Sequence, residues 1–215
     1  MEGILREVYG FQRVTTLLDG DATIAGVDAA LTALLAGATP EDRLVFFYSG
    51  HGYQVQKGES REEVLVLRDG FYEDDRLIAK AQALPPGVLT VILDSGFSGR
   101  VDKILIPGPD GFDVALSKVW SPDEETIRRE SEELLKAARV VFKGFGRAPA
   151  VMPAAVGAAG QAMRPSEEGQ VQINAVLITA SIEGETALAK TKRTEGLSPF
   201  TYALREVLKA GAWHA

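Results

Sequence analysis

Three short runs of apolar residues constrain the fold of this chain more than anything else in it. Arg43-Leu44-Val45-Phe46-Phe47-Tyr48, Val88-Leu89-Thr90-Val91-Ile92-Leu93 and Ala175-Val176-Leu177-Ile178-Thr179-Ala180 are each too short for a buried helix. Each is nearly continuous rather than alternating, as in strands buried on both faces of a parallel sheet. Parallel strands need crossovers, and helical patterns stand where crossovers would lie. Thr23 to Ala36 carries Ile24, Val27, Ala30, Leu31, Leu34 and Leu35 at the spacing of one helical face. A strand at Val64 to Leu67 and a helix from Asp75 to about Leu84, halted by Pro85-Pro86-Gly87, fill the gap between the first two runs. The expectation is an α/β sandwich, helices on both faces of a mostly parallel sheet.

Caps mark two further helices. Ser121-Pro122-Asp123-Glu124 sets Ser at the N-cap, Pro at the first helical position and Glu three residues on, ahead of an Ile127, Leu134, Leu135, Ala138 stripe. Ser198-Pro199 opens the other, which runs through Phe200, Ala203, Leu204, Val207 and Leu208 to Gly211. Between Gly144 and Gly169 the composition turns to Ala, Gly and Pro, too poor in large apolar groups to offset its ordering cost. That stretch reads as a flexible linker dividing residues 1–143 from 170–215 of a single domain, which the length of 215 residues suits.

A formal charge of −7 with basic residues interspersed gives no footprint for nucleic acid, and basic peptides or cations are the expected partners. The absence of cysteine excludes disulfides, thiolate metal sites and a thiol nucleophile. No run approaches the roughly 18 apolar residues of a membrane span, and the start lacks a secretory pattern, so a cytoplasmic location is expected.

In a parallel sheet, functional groups collect just past the carboxyl ends of the strands. Ser49-Gly50-His51-Gly52 follows the first run, and Asp94-Ser95-Gly96-Phe97-Ser98-Gly99 follows the second. Glycines on both sides of His51 allow a sharp turn that leaves an imidazole exposed, as a general base requires. Alone, either turn reads equally as a surface loop, and Asp94 as a helix-capping carboxylate.

Taken together, Phe46-Phe47-Tyr48-Ser49-Gly50-His51-Gly52 resembles the histidine motif of caspase-like peptidases. Ile92-Leu93-Asp94-Ser95-Gly96-Phe97-Ser98-Gly99 resembles their cysteine motif, Asp-x-Cys-x-Ser-Gly. The likeness is to the metacaspase and bacterial orthocaspase group, and it extends to Thr179-Ala180-Ser181 and Pro199-Phe200-Thr201-Tyr202-Ala203-Leu204. It implies a caspase-like three-layer sandwich and a cysteine endopeptidase that cuts after Arg or Lys. By the resemblance His51 is the general base, Gly96 occupies the nucleophile position, and the amides of Gly96 and Gly52 form the oxyanion hole. Asp94 and Ser49 match positions lining the pocket that takes the basic side chain.

Glycine has no atom that can attack a carbonyl, so the chain is expected to be catalytically dead. A peptidase inactivated at one position and a natural pseudopeptidase that binds a peptide or protein both fit this sequence. A serine hydrolase using Ser98 fits poorly, because position 100 is Arg where the Gly-x-Ser-x-Gly elbow needs glycine. The family begins with a buried strand for which Met1 to Gly10 offers no counterpart, so a further N-terminal segment or another chain is expected to complete the sheet. The chemistry needs no cofactor. Metacaspases often need calcium: Asp74 and Asp75 resemble the family's acidic pair, Asp102 lies one position off a further acidic site, and Glu63 is a weaker fourth candidate, although solvated acidic loops explain them equally. Arg139, Lys143, Arg147 and Arg164, in or beside the linker, are expected maturation sites.

Overall fold

The computed structural model describes residues 1–57, 60–96, 103–108, 111–120, 175–181 and 187–211. The helix expected from Ser121, the linker at 144–169, its flanking basic residues, Ser98 and Asp102 lie outside the described residues.

All three apolar runs are strands, and they pair with one another. β1 (Leu44–Ser49) lies parallel to β5 (Leu89–Asp94), and β5 lies parallel to β8 (Ala175–Thr179), giving the order β1-β5-β8. The central strand is the most buried: Leu89 and Val91 are fully enclosed and Ile92 is 2% exposed. The expectation that all three runs are buried on both faces holds for β5 alone. β1 is half-buried, and Val176 and Leu177 of β8 are exposed, since each has β5 as its one strand neighbour among the described residues.

A second sheet is antiparallel and only partly anticipated. β2 (Gly52–Lys57), β3 (Ser60–Leu67) and β4 (Gly70–Glu73) form a meander, of which the sequence patterning revealed the apolar end of β3 alone. β2 begins directly after the histidine turn, so the side chain of His51 hangs from a backbone fixed in a sheet. β6 (Lys103–Gly108) and β7 (Gly111–Leu116) pair as a separate hairpin.

Helix α1 (Glu2–Glu7) pairs with the last helix, α4 (Pro199–Lys209), and the Tyr9 hydroxyl donates to the Leu208 carbonyl at 2.9 Å. Helix α2 (Ile24–Leu35) starts where Thr23 accepts a bond from the Gly26 amide at 3.0 Å. It is capped a second time by Asp69 of the β3–β4 turn, which accepts from the Ile24 amide at 2.8 Å. Its buried stripe, Val27 and Leu31, packs with Leu65, Leu67, Tyr72, Leu77, Leu89 and Val91 in one core shared with α3 (Asp74–Ala81). Among the described residues, no helix is long and apolar enough to cross a membrane.

Candidate active site

The strand register brings the two polar turns together. β1 and β5 stay aligned to their last residues, where Ser49 stands opposite Asp94, and His51 and Gly96 each follow that pair by two positions. The turn into β2 depends on Gly50: a Cβ there would lie 2.5 Å from the Tyr48 hydroxyl and 2.7 Å from its ring carbon. The Tyr48 hydroxyl, folded over the turn, lies within bonding distance of the carbonyls of His51, at 2.7 Å, and Val66, at 2.9 Å. Burial pushes the phenol far above its ordinary pKa, so it remains a donor at physiological pH. The Val66 amide also donates to the His51 carbonyl at 2.9 Å, which leaves the backbone held and the imidazole exposed.

Asp94 is wholly buried, and its Oδ2 collects four donors. Ser49 Oγ donates at 3.0 Å, the Lys118 ammonium lies at 2.8 Å, and the hydroxyls of Ser198 and Thr201 complete the cage. Ser198 is also the N-cap of α4 and accepts from the Thr201 amide at 3.0 Å, so the carboxylate faces the positive end of that helix. Oδ1 has no partner. Ser49 and Asp94 are thus joined by a hydrogen bond at the ends of their two strands, and among the described residues the Asp94 carboxylate also meets the N-cap hydroxyl of α4.

Sequence reasoning missed Lys118, Ser198 and Thr201 as site residues. The pair at 198 and 201 carried a signal, since a capping hydroxyl and a Thr three positions on face the same way from a first helical turn. Lys118, in Ser117-Lys118-Val119-Trp120, carried none. Its ammonium also donates to Ser49 Oγ and to the Asp94 carbonyl, both at 2.9 Å. Desolvation lowers its pKa, against which the bond to Asp94 works. The same ammonium reaches His51 electrostatically: loss of hydration first, and this charge second, hold the imidazole below the ordinary histidine value.

The amide of Gly52, expected as an oxyanion donor, is already engaged, donating to the Lys118 carbonyl at 3.0 Å. Gly96 is buried beside Ser95, whose Oγ is buried without a partner and whose carbonyl accepts from Ser181 Oγ at 3.0 Å. Ser95 therefore lies sealed inside the turn rather than offering a hydroxyl to a substrate.

A caspase-domain family profile matches residues 1–215. The chain belongs to the caspase domain family. The family as a whole supplies the reaction class, cysteine peptidase. The crystal structure of a Geobacter sulfurreducens protein is similar at a TM-score of 0.56 and 19% identity, over 94% of this chain and 67% of that one. At that identity the likeness speaks to fold. No curated protein sequence matches the chain.

The acidic positions gather differently from the expectation. Carboxylate oxygens of Glu62, Asp74 and Asp75 lie within 4.8 Å of one another. The expected Asp74 and Asp75 are in this group together with Glu62, the neighbour of Glu63. The β3–β4 ladder ends at Val64 opposite Glu73, and Asp74 and Asp75 open α3 directly after it. Burial, then Asp75 and Glu62, push Asp74 up to about 6.

Proposed function

We propose that this chain is a caspase-like cysteine endopeptidase scaffold that accepts Arg or Lys before the scissile bond, and that Gly96 at the nucleophile position leaves it without hydrolytic activity. The observation that carries the reading is the Asp94 cage: a buried carboxylate at the end of the central strand, ringed by hydroxyls and bound to an ammonium. Here the chain's own Lys118 supplies the cation that so enclosed a charge requires, and it is the kind of long basic side chain that an Arg- or Lys-accepting site takes. His51 hangs from the adjacent strand end, where it would take the thiol proton and return it to the departing amine.

Gly96→Cys in the otherwise unaltered chain tests this. The variant is expected to gain hydrolysis of Arg- and Lys-containing peptides by roughly 10⁴-fold or more over the parent, and to lose it again with His51→Ala. Gly96→Ser should restore far less, because a hydroxyl beside an imidazole stays protonated where a thiol ionises. A Gly96→Cys chain that folds, binds a basic peptide and cuts nothing supports the pseudopeptidase reading, in which the Asp94 pocket serves binding alone. This reading keeps a cytoplasmic location, which imaging of a tagged full-length chain would test.

Calcium belongs to the same reading. The Glu62, Asp74 and Asp75 oxygens are hard donors close enough to converge on one ion. With Asp102 outside the described residues, we assign these three as the protein ligands. A calorimetric titration giving no calcium-dependent heat would remove the assignment.

A further inference from the structure

The residues around Lys118 bind this site with their backbone as well as with one side chain. The Lys118 amide donates to the Ala187 carbonyl at 2.9 Å, and Ser117 forms an antiparallel bridge with Leu188. The Lys118 carbonyl accepts from the Gly52 amide at 3.0 Å. Val119 forms a parallel bridge with Gly52, and the Trp120 amide donates to the Gly52 carbonyl at 2.8 Å. Beyond it, the indole of Trp120 packs edge-on against Phe71 and Tyr53, with ring centres 5.2 Å from each. Four consecutive residues thus run through the site as an added strand, basic side chain inward on Asp94 and carbonyl on the amide that follows the histidine.

We propose that Ser117–Trp120 is the built-in occupant of this chain's own substrate groove, seated with Lys118 as the selected basic residue and Lys118–Val119 as the bond presented for cleavage. The inference rests on the peptidase reading above and deepens it. A structural ion pair would need only the ammonium and the carboxylate. It would not need the Lys118 amide and carbonyl to be bonded on opposite walls of the site, nor an aromatic anchor two residues downstream. Strand addition along an edge, with one side chain in a specific pocket, is how extended peptides are commonly held. The segment is tethered, so it competes with free peptide at an effective concentration in the millimolar range or above.

The covalent consequence follows once a thiol is supplied by Gly96→Cys. The introduced thiolate would add to the Lys118 carbonyl carbon, and the Lys118–Val119 carbon–nitrogen bond would break as the Val119 nitrogen takes the proton held by His51. Water, deprotonated by His51, would then cleave the thioester, giving a Lys118 carboxylate and the free thiol.

Two experiments on the full chain decide. The first is intact-mass analysis of Gly96→Cys, with peptide hydrolysis assayed in parallel. A fragment ending at Lys118 and one beginning at Val119, both absent when Lys118→Met is added, are the expected products. Hydrolysis of added basic peptides with 118–119 left intact would overturn the inference while the peptidase reading stood. If Gly96→Cys cuts nothing, the peptidase reading fails on its own and the second experiment rules. That experiment titrates the parent chain with a fluorescein-labelled peptide ending in argininamide. Lys118→Ala should bind it at least tenfold more tightly than the parent. Trp120→Ala, which keeps the Asp94 ion pair and so guards against a folding defect, should improve binding severalfold. Unchanged affinity in a folded Trp120→Ala and in Lys118→Ala would sink the idea.

Discussion

Asp94 and Asp74 both stand where a strand ends, and they have different charged neighbours. Asp94 is the more buried, yet it has a cation at 2.8 Å and hydroxyl donors around it. Asp74 is only partly buried, and burial first, then Asp75 and Glu62, push its carboxyl up to about 6. At Asp74 burial and two neighbouring carboxylates act together against the charge, whereas Asp94 has an ammonium beside it. That ammonium belongs to a residue of the chain itself. At the acidic corner Lys80 is engaged elsewhere, 3.4 Å from Asp28 on α2.

The largest expected effect is at the satisfied site. Asp94→Asn leaves the Lys118 ammonium buried without its anion, and urea denaturation should show a loss of about 3–5 kcal/mol. Lys118→Met added to Asp94→Asn should recover much of it, with a coupling of about 2 kcal/mol in the double-mutant cycle. A single-variant cost under about 1 kcal/mol would mean that Asp94 is not the enclosed charge described above.

The acidic corner should respond in the other direction. A folded-state value near 6, against the ordinary 3.8, means the native state holds more protons than the unfolded chain between those limits. Stability therefore falls as pH rises through that window, and the deficit is complete above it. Asp74→Asn cannot ionise, so at pH 7.5 it should be more stable than the parent by about 1–2 kcal/mol, after discounting for solvent screening. Its stability should also be flatter between pH 4 and 6 in chemical denaturation. Calcium should raise the melting temperature of the parent more than that of Asp74→Asn. An equal response in both would separate the corner from any ion.

How much of this was legible in the sequence follows from which interactions are local. The parallel strands showed as continuous apolar runs because burial on a sheet is written residue by residue in hydrophobicity. The two polar turns showed because glycines and a histidine at a strand end have few other uses. The β2–β4 meander was largely hidden, since Tyr53, Gln54 and Val55 alternate weakly and Phe71 and Tyr72 make too short a run. Lys118 was illegible: its meaning comes from contacts with positions 49, 52, 94 and 187, all remote in the chain. Glu62 carried no signal of its own, because a pair of adjacent acids does not reveal which of the two side chains faces Asp74 and Asp75.

The smallest effect is carried by His51, and it asks whether the Lys118 charge is felt across the site at all. Desolvation and that ammonium both lower the imidazole pKa. Lowering a histidine's folded pKa favours the neutral form, so this group's contribution to stability is present above the ordinary value and is lost as pH falls from there through the lowered folded value. Lys118→Met removes the charge and should move the His51 titration upward in proton NMR, assigned by comparison with His51→Gln. The acid limb of Gly96→Cys activity on added peptide should move up with it, because the base is protonated sooner as pH falls. Asp74→Asn, which alters charge at the other carboxylate group, should leave the His51 titration where it was. A downward shift in Asp74→Asn as large as the upward shift in Lys118→Met would show that His51 senses net charge over the whole chain, and the contrast between a carboxylate paired with a cation and one facing other carboxylates would lose its physical basis.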